Sequence, residues 1–284
     1  MSTAAVLAAT LTVGGGAIHT STAASAAAAP TYVALGDSFA AGPGIPETTG
    51  GTCLRSTANY PSLVAARLHL SLTDATCSGA TTANVTTTAQ DENPPQLTAV
   101  TRGTDYVTLT IGNNDVAYTR SQIVCGSARA EGAPCLGVAV DPAAIDSALA
   151  HVEADLVATL RAVRRAAPKA TILLVTYPRT LPTGGAPCPP QNPMFRDDSR
   201  RLTRLGAQLQ RRLVAAARTA KVTLVDTYRP TGHDVCSPEP QRWIEGAVPE
   251  SPALLWHPNE RGMEAQAAAV VGAIRRAAPG DRSA

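Results

Sequence analysis

Five short apolar runs rich in β-branched residues, near positions 32–35, 70–76, 105–111, 171–175 and 222–225, alternate along the chain with segments of helical period. This alternation restricts the fold more than any other feature. Strands separated by helices pair in parallel, and the crossovers cover both faces of the sheet. The expected fold class is α/β: a single-domain, doubly wound parallel sheet of about five strands flanked by helices. Asn59-Tyr60-Pro61 opens one helix, with Pro61 in the first turn, where its missing N–H costs nothing. A turn or two of helix is expected at 96–101. Asp141-Pro142 opens a long helix to 167, with Ile145, Leu149, Val152, Leu156, Leu160 and Val163 three or four apart. A helix over 195–220 carries Leu202, Leu205, Leu209 and Leu213 on one side and arginines on the other, read as a solvated face; the last helix spans 258–278. Segments 81–88, 125–142, 178–193 and 227–256 read as loops or irregular structure.

Bulk properties exclude several classes of partner. The 284 residues carry a formal net charge of +2 and no basic block, which argues against nucleic acid. Residues 1–29 are low-complexity Ala/Thr/Ser/Gly, with small residues at Ala24-Ser25-Ala26, and read as a secretion signal ahead of one domain over 30–284. No Lys or Arg precedes Arg55, so this signal lacks a basic start. No later stretch is apolar enough to span a bilayer, and a secreted, extracellular protein is expected. The six cysteines, Cys53, Cys77, Cys125, Cys135, Cys188 and Cys236, include no C-x-x-C pair and read as a disulfide framework. Six cysteines allow 15 pairings. Pairing in sequence order is the simplest, since Cys125 and Cys135 flank one short loop.

The strand ends carry the chemistry. The first run stops at Gly36-Asp37-Ser38, the second leads into Cys77-Ser78-Gly79, and the third stops at Gly112-Asn113-Asn114-Asp115. In a doubly wound sheet these ends share one edge, where such sheets bind ligands. His257, at the start of the last helix, can join them. Ser38 offers a hydroxyl that becomes nucleophilic once a base takes its proton, and His257 suits that base. The backbone N–H groups of Ser38 and Gly79 and the side-chain amide of Asn114 suit an oxyanion hole. Asp37 and Asp115 read as turn-shaping residues. His69 and His151 read as surface or packing residues, and His233-Asp234 as part of a stapled loop.

These four blocks in this order resemble the SGNH hydrolases, the GDSL-type esterases and lipases. Gly36-Asp37-Ser38-Phe39 with Ala41-Gly42 fits the nucleophile block, Gly79 the glycine block, Gly112-Asn113-Asn114-Asp115 the asparagine block, and His257-Pro258-Asn259 the histidine block. The resemblance implies a flavodoxin-like three-layer fold and, in the secreted bacterial branch, three disulfides paired in sequence order. It implies a serine ester hydrolase acting on acyl or lipid esters through a Ser38 acyl-enzyme, with no metal or organic cofactor. Phospholipase A and carbohydrate esterase of the same fold are the alternatives among enzymes, and a non-catalytic exported binding protein on a decayed hydrolase scaffold is the alternative without activity. A small-molecule or lipid ester is the expected partner, and a monomer the expected state. The family's aspartate three residues before the histidine is missing, because Leu254 stands there. The resemblance points to the Leu254 main-chain carbonyl as the group that orients His257, with Asp226, Asp234, Glu245 and Glu250 as other candidates.

Overall fold

The computed structural model describes residues 28–127 and 134–277, together with 1 and 3–5. Most of the expected secretion signal lies outside the described residues. Strands β1 (Thr31–Gly36), β2 (Ser71–Asp74), β3 (Tyr106–Thr110), β4 (Thr171–Val175) and β5 (Thr223–Val225) form one sheet in the order β2-β1-β3-β4-β5. Every pairing is parallel. The α-helices are α1 (Ser38–Ala41), α2 (Tyr60–Leu68), α3 (Thr82–Thr86), α4 (Tyr118–Gly126), α5 (Pro142–Ala166), α6 (Arg196–Ala220) and α7 (Glu260–Ala277). The expected five-stranded doubly wound sheet is the one observed.

Strand residues alternate between two cores, as the two-residue period requires. Val33, Leu35, Val107, Leu109, Ile172 and Leu174 pack with α5 and α6, through Leu156, Leu160, Leu205 and Leu209. Tyr32, Ala34, Leu173 and Val175 face α2 and α7, through Val64, Met263, Ala267 and Val270. Both faces are thus covered, and the strands read as continuous apolar runs. The polar exceptions in the central strand are satisfied: Thr108 and Thr110, both fully buried, hydrogen-bond the hydroxyls of Tyr32 (2.8 Å) and Tyr60 (2.9 Å).

Local signals set the helix starts. The Asn59 side chain accepts the Ser62 N–H ahead of α2, and the Asp141 side chain accepts the Ala143 N–H ahead of α5. Two expectations are corrected. Segment 81–88 contains α3, because the Asn84 side chain accepts the Thr81 N–H (2.9 Å) and Asp115 accepts both the N–H and the hydroxyl of Thr82. Helix α4 runs to Gly126, two residues into the segment 125–142 expected to be irregular. The cysteines pair in sequence order, Cys53–Cys77, Cys125–Cys135 and Cys188–Cys236. Among the described residues no helix is long and apolar enough to cross a membrane.

Leu156 is fully buried where α5 crosses the end of β3. Leu156→Ala should destabilise the fold by roughly 2–5 kcal/mol. The expected readout is a lower urea midpoint with little change in m.

Candidate active site

The turn that carries Ser38, the candidate nucleophile, is built by a close approach of two strand ends. A Cβ on Gly36 would lie 2.6 Å from the Thr110 carbonyl, and Gly36 has φ +153°, so a side chain is excluded there. The Asp37 N–H donates to that same carbonyl (2.9 Å). The Gln96 side chain serves both polar groups of Gly36, accepting from its N–H (2.8 Å) and donating to its carbonyl (2.9 Å). Asp37 then caps α1 by accepting the Phe39 N–H (2.9 Å), which sets Ser38 at the first position of that helix.

Ser38 and His257 meet across 219 residues, with Oγ 2.8 Å from Nε2. The His257 Nδ1 lies 2.9 Å from the Leu255 carbonyl oxygen. A carbonyl can only accept, so Nδ1 carries the proton and Nε2 is left with a lone pair facing the serine hydroxyl. Burial pushes the imidazole pKa down to about 4, against a smaller upward pull from the Leu255 carbonyl. At neutral pH the ring is therefore an uncharged acceptor.

The orienting carbonyl is a correction to the sequence reading, which expected Leu254. The Leu254 carbonyl is occupied by the backbone N–H of His257 (3.1 Å). Between them Trp256 has φ +64°, and its fully buried ring lies against α4, where a Cβ on Gly126 would come within 2.3 Å of it. This left-handed step brings the Leu255 oxygen to the ring nitrogen. None of the carboxylates considered as substitutes reaches His257. Glu245 accepts from Asn259 (2.7 Å) and the Glu250 N–H (2.9 Å), and Glu250 pairs with Arg242 (3.2 Å). Asp226 pairs with Arg229 (2.9 Å), and Asp234 accepts the Cys236 N–H (2.9 Å). His233 stacks on Trp243 (3.9 Å) and turns Nδ1 to the Gln241 carbonyl.

Gly79 and Asn114 stand on neighbouring turns that are tied together. The Cys77 N–H donates to the Gly36 carbonyl (3.0 Å), drawing the turn after β2 to the end of β1. The Asn114 side-chain amide donates one N–H to the Ala80 carbonyl (2.9 Å), and its second N–H remains. Gly79 has φ +84°, and among the described residues no acceptor takes its N–H or that of Ser38. Two backbone N–H groups and one side-chain N–H are thus uncommitted on the turns at this edge of the sheet.

The sequence reading missed Tyr177, immediately after β4. Its hydroxyl donates to Asp37 (2.5 Å) and accepts the Asn113 N–H (3.0 Å), joining the nucleophile turn to the asparagine turn. Its ring meets Phe39 edge-on at 5.1 Å, and Phe39 lies 5.2 Å from the His257 ring. Burial raises the Asp37 pKa to about 7, while the hydrogen bonds from Tyr177 and Phe39 pull it down. The available signal was positional: a tyrosine on the carboxyl edge of the sheet.

Known proteins resemble this chain in sequence and fold. The chain is 37% identical to Lipase 2 of Streptomyces coelicolor over 86% of each chain. Among solved structures, the extracellular lipase of Streptomyces rimosus aligns with a TM-score of 0.69 and 27% identity, over 88% of this chain and all of that one. Phospholipase A1 of Streptomyces albidoflavus, 23% identical with a TM-score of 0.67 over 88% of this chain and all of that one, shares the fold. The model of the GDSL-like lipase/acylhydrolase family matches residues 34–265, from the nucleophile strand into the last helix. The chain belongs to the GDSL-like lipase/acylhydrolase family and is a carboxylic ester hydrolase.

Proposed function

We propose that this hydrolase works through a Ser38 acyl-enzyme, with His257 as base and then acid, on acyl or lipid esters outside the cell. The observation that carries this reading is the 2.8 Å contact between Ser38 Oγ and an imidazole whose other nitrogen is committed to a carbonyl. His257 takes the Ser38 proton as Oγ attacks the ester carbonyl. The N–H groups of Ser38 and Gly79 and the free amide hydrogen of Asn114 receive the oxyanion. The imidazolium gives its proton to the departing alcohol, and water repeats the sequence to release the acid. A carbonyl holds the tautomer as a carboxylate would, but it offers the imidazolium less charge stabilisation.

Residues 30–284 form the catalytic domain in this reading, and the enzyme acts as a monomer. Secretion is supported by the composition of 1–29, by the three disulfides, and by the relative from Streptomyces rimosus, described as extracellular. The two lipases among the relatives support acyl or lipid esters as substrates. So does an aromatic content of 4%, which leaves little material for a sugar-stacking platform.

The first test is hydrolysis of p-nitrophenyl esters from acetate to palmitate. Ser38→Ala should lower kcat by more than about 10⁴-fold and abolish labelling by an organophosphonate. Undiminished activity in that variant would sink the mechanism. Asn114→Ala should cost about 10²–10³-fold in kcat. With the His257 pKa at about 4, loss of the base should appear in the kcat/KM profile on a dissolved ester only near pH 4, well below any change that protonation of Asp37 brings near pH 7. Tyr177→Phe strands the buried Asn113 N–H and removes a donor from Asp37. It should cost roughly 1–3 kcal/mol of stability in urea melts, with kcat lowered more than KM is changed.

A further inference from the structure

Apart from Met1, the large apolar side chains that stand exposed among the described residues are Leu54 (48%), Val138 (69%), Val248 (50%) and Leu254 (37%). All four lie on connections leaving the carboxyl ends of strands: Leu54 after β1, Val138 after β3, Val248 and Leu254 after β5. The opposite edge differs, since Leu70 and Val222 on its connections are half-buried. Scattered exposed leucines need no explanation, but confinement to the edge that holds Ser38 does.

Each of the four is anchored to this edge. Leu54 follows Cys53, whose disulfide to Cys77 and whose carbonyl, accepting the Ser78 N–H (3.1 Å), fix it beside the Gly79 turn. Leu54 also holds φ +54°, an unfavourable conformation for a leucine, and one kept here with the side chain in solvent. Val138 donates its N–H to the Cys135 carbonyl (3.1 Å), and Cys135 is bonded to Cys125, next to the glycine that receives Trp256. Val248 follows Ala247, whose N–H is held by the Gln191 carbonyl (2.9 Å), and Leu254 lies three residues before His257.

The neighbouring charges are engaged within the protein. Arg55, beside Leu54, donates to the Thr76 carbonyl (2.7 Å). Glu250, between Val248 and Leu254, pairs with Arg242 (3.2 Å) and accepts from Gln191 (2.9 Å). Among the described residues of these loops, Glu47 and Arg120 are the charges left without a partner, one of each sign, so the surface suits an uncharged partner. We propose that Leu54, Val138, Val248 and Leu254 form an adsorption surface by which the catalytic edge settles on aggregated, uncharged ester lipid. The proposal rests on the reading of Ser38 as the ester-cleaving residue, since that is what makes lipid the occupant of this edge.

The test separates adsorption from chemistry. Ser38→Ala protein is mixed with a triolein emulsion and centrifuged, and the floating fraction is compared with that of the same protein carrying Leu54→Asn, Val138→Ser and Val248→Ser. Asn suits the left-handed backbone at position 54, so the fold is not strained further. The parent should float with the droplets, and the substituted protein should partition about tenfold more weakly, as expected when several apolar side chains lose their contact. With Ser38 intact, the same three substitutions should leave kcat/KM on dissolved p-nitrophenyl acetate within about twofold while lowering the emulsion rate about tenfold. Equal flotation of both proteins, a parent that stays in the aqueous phase, or a preference for anionic vesicles over triolein would overturn the proposal. A parallel loss on the dissolved ester would overturn it too. An intact enzyme inactive on every ester would remove the Ser38 mechanism, and flotation, which needs no turnover, would still decide whether this edge adsorbs.

Discussion

The tautomer of His257 depends on one main-chain oxygen. A side-chain carboxylate can rotate to follow an imidazole, whereas a carbonyl goes only where its backbone goes. The 2.9 Å contact from Nδ1 to Leu255 therefore transfers the whole problem of orientation to the conformation of residues 254–257. That segment is held from several sides. The Trp256 ring is packed against a position where only glycine fits, and the Leu254 N–H donates to the Pro43 carbonyl (2.9 Å). Glu245 exchanges backbone hydrogen bonds with Trp256 and His257, both 3.0 Å. Its buried carboxylate, paired with Arg242 and accepting from Asn259, fixes the far side of the same ribbon. Losing one partner of such a buried pair leaves an uncompensated charge, so this network tolerates little displacement.

The serine side is organised by a different means. Gly36 lets β1 and β3 converge, and the Tyr177 hydroxyl then bridges Asp37 and Asn113. Asn114 and Asp115 reach back to Ala80 and Thr82, so the turn bearing Gly79 moves with the turn bearing Asn114. The N–H groups that the proposed mechanism turns on the oxyanion are thereby placed before any substrate arrives. Preorganised donors of this kind carry much of the rate enhancement in acyl transfer, because no dipole has to reorient as charge develops.

Much of this was legible in the sequence because period and punctuation report directly on backbone. Residues 105–111 read as a strand from β-branched alternation, and Asn59 and Asp141 announced their helices by capping. Ser38, Gly79 and Asn114 were visible as residues of suitable chemistry at strand ends, and His257 as one at the start of the last helix. What escaped depended on a dihedral angle or on a contact between distant segments. Spacing counts residues but does not record that Trp256 takes φ +64°, and this single rotation decides whether position 254 or 255 faces the ring. Tyr177 is separated from Asp37 by 140 residues, and nothing local marks its hydroxyl as their link. The helix at Thr82–Thr86 escaped for the same reason, since Asp115 secures its first turn.

All six cysteines lie on connections at the carboxyl edge, and no strand or opposite-edge turn is stapled. Cys125–Cys135 closes a loop within one connection, while Cys53–Cys77 and Cys188–Cys236 each tie two neighbouring connections together, and the entropy of closing a loop grows only slowly with its length. The sheet is therefore insulated from changes in the loop residues of this edge. Such an arrangement lets recognition diverge while the scaffold stays constant: a descendant can lengthen, shorten or recolour one loop without redrawing the strand order beneath it.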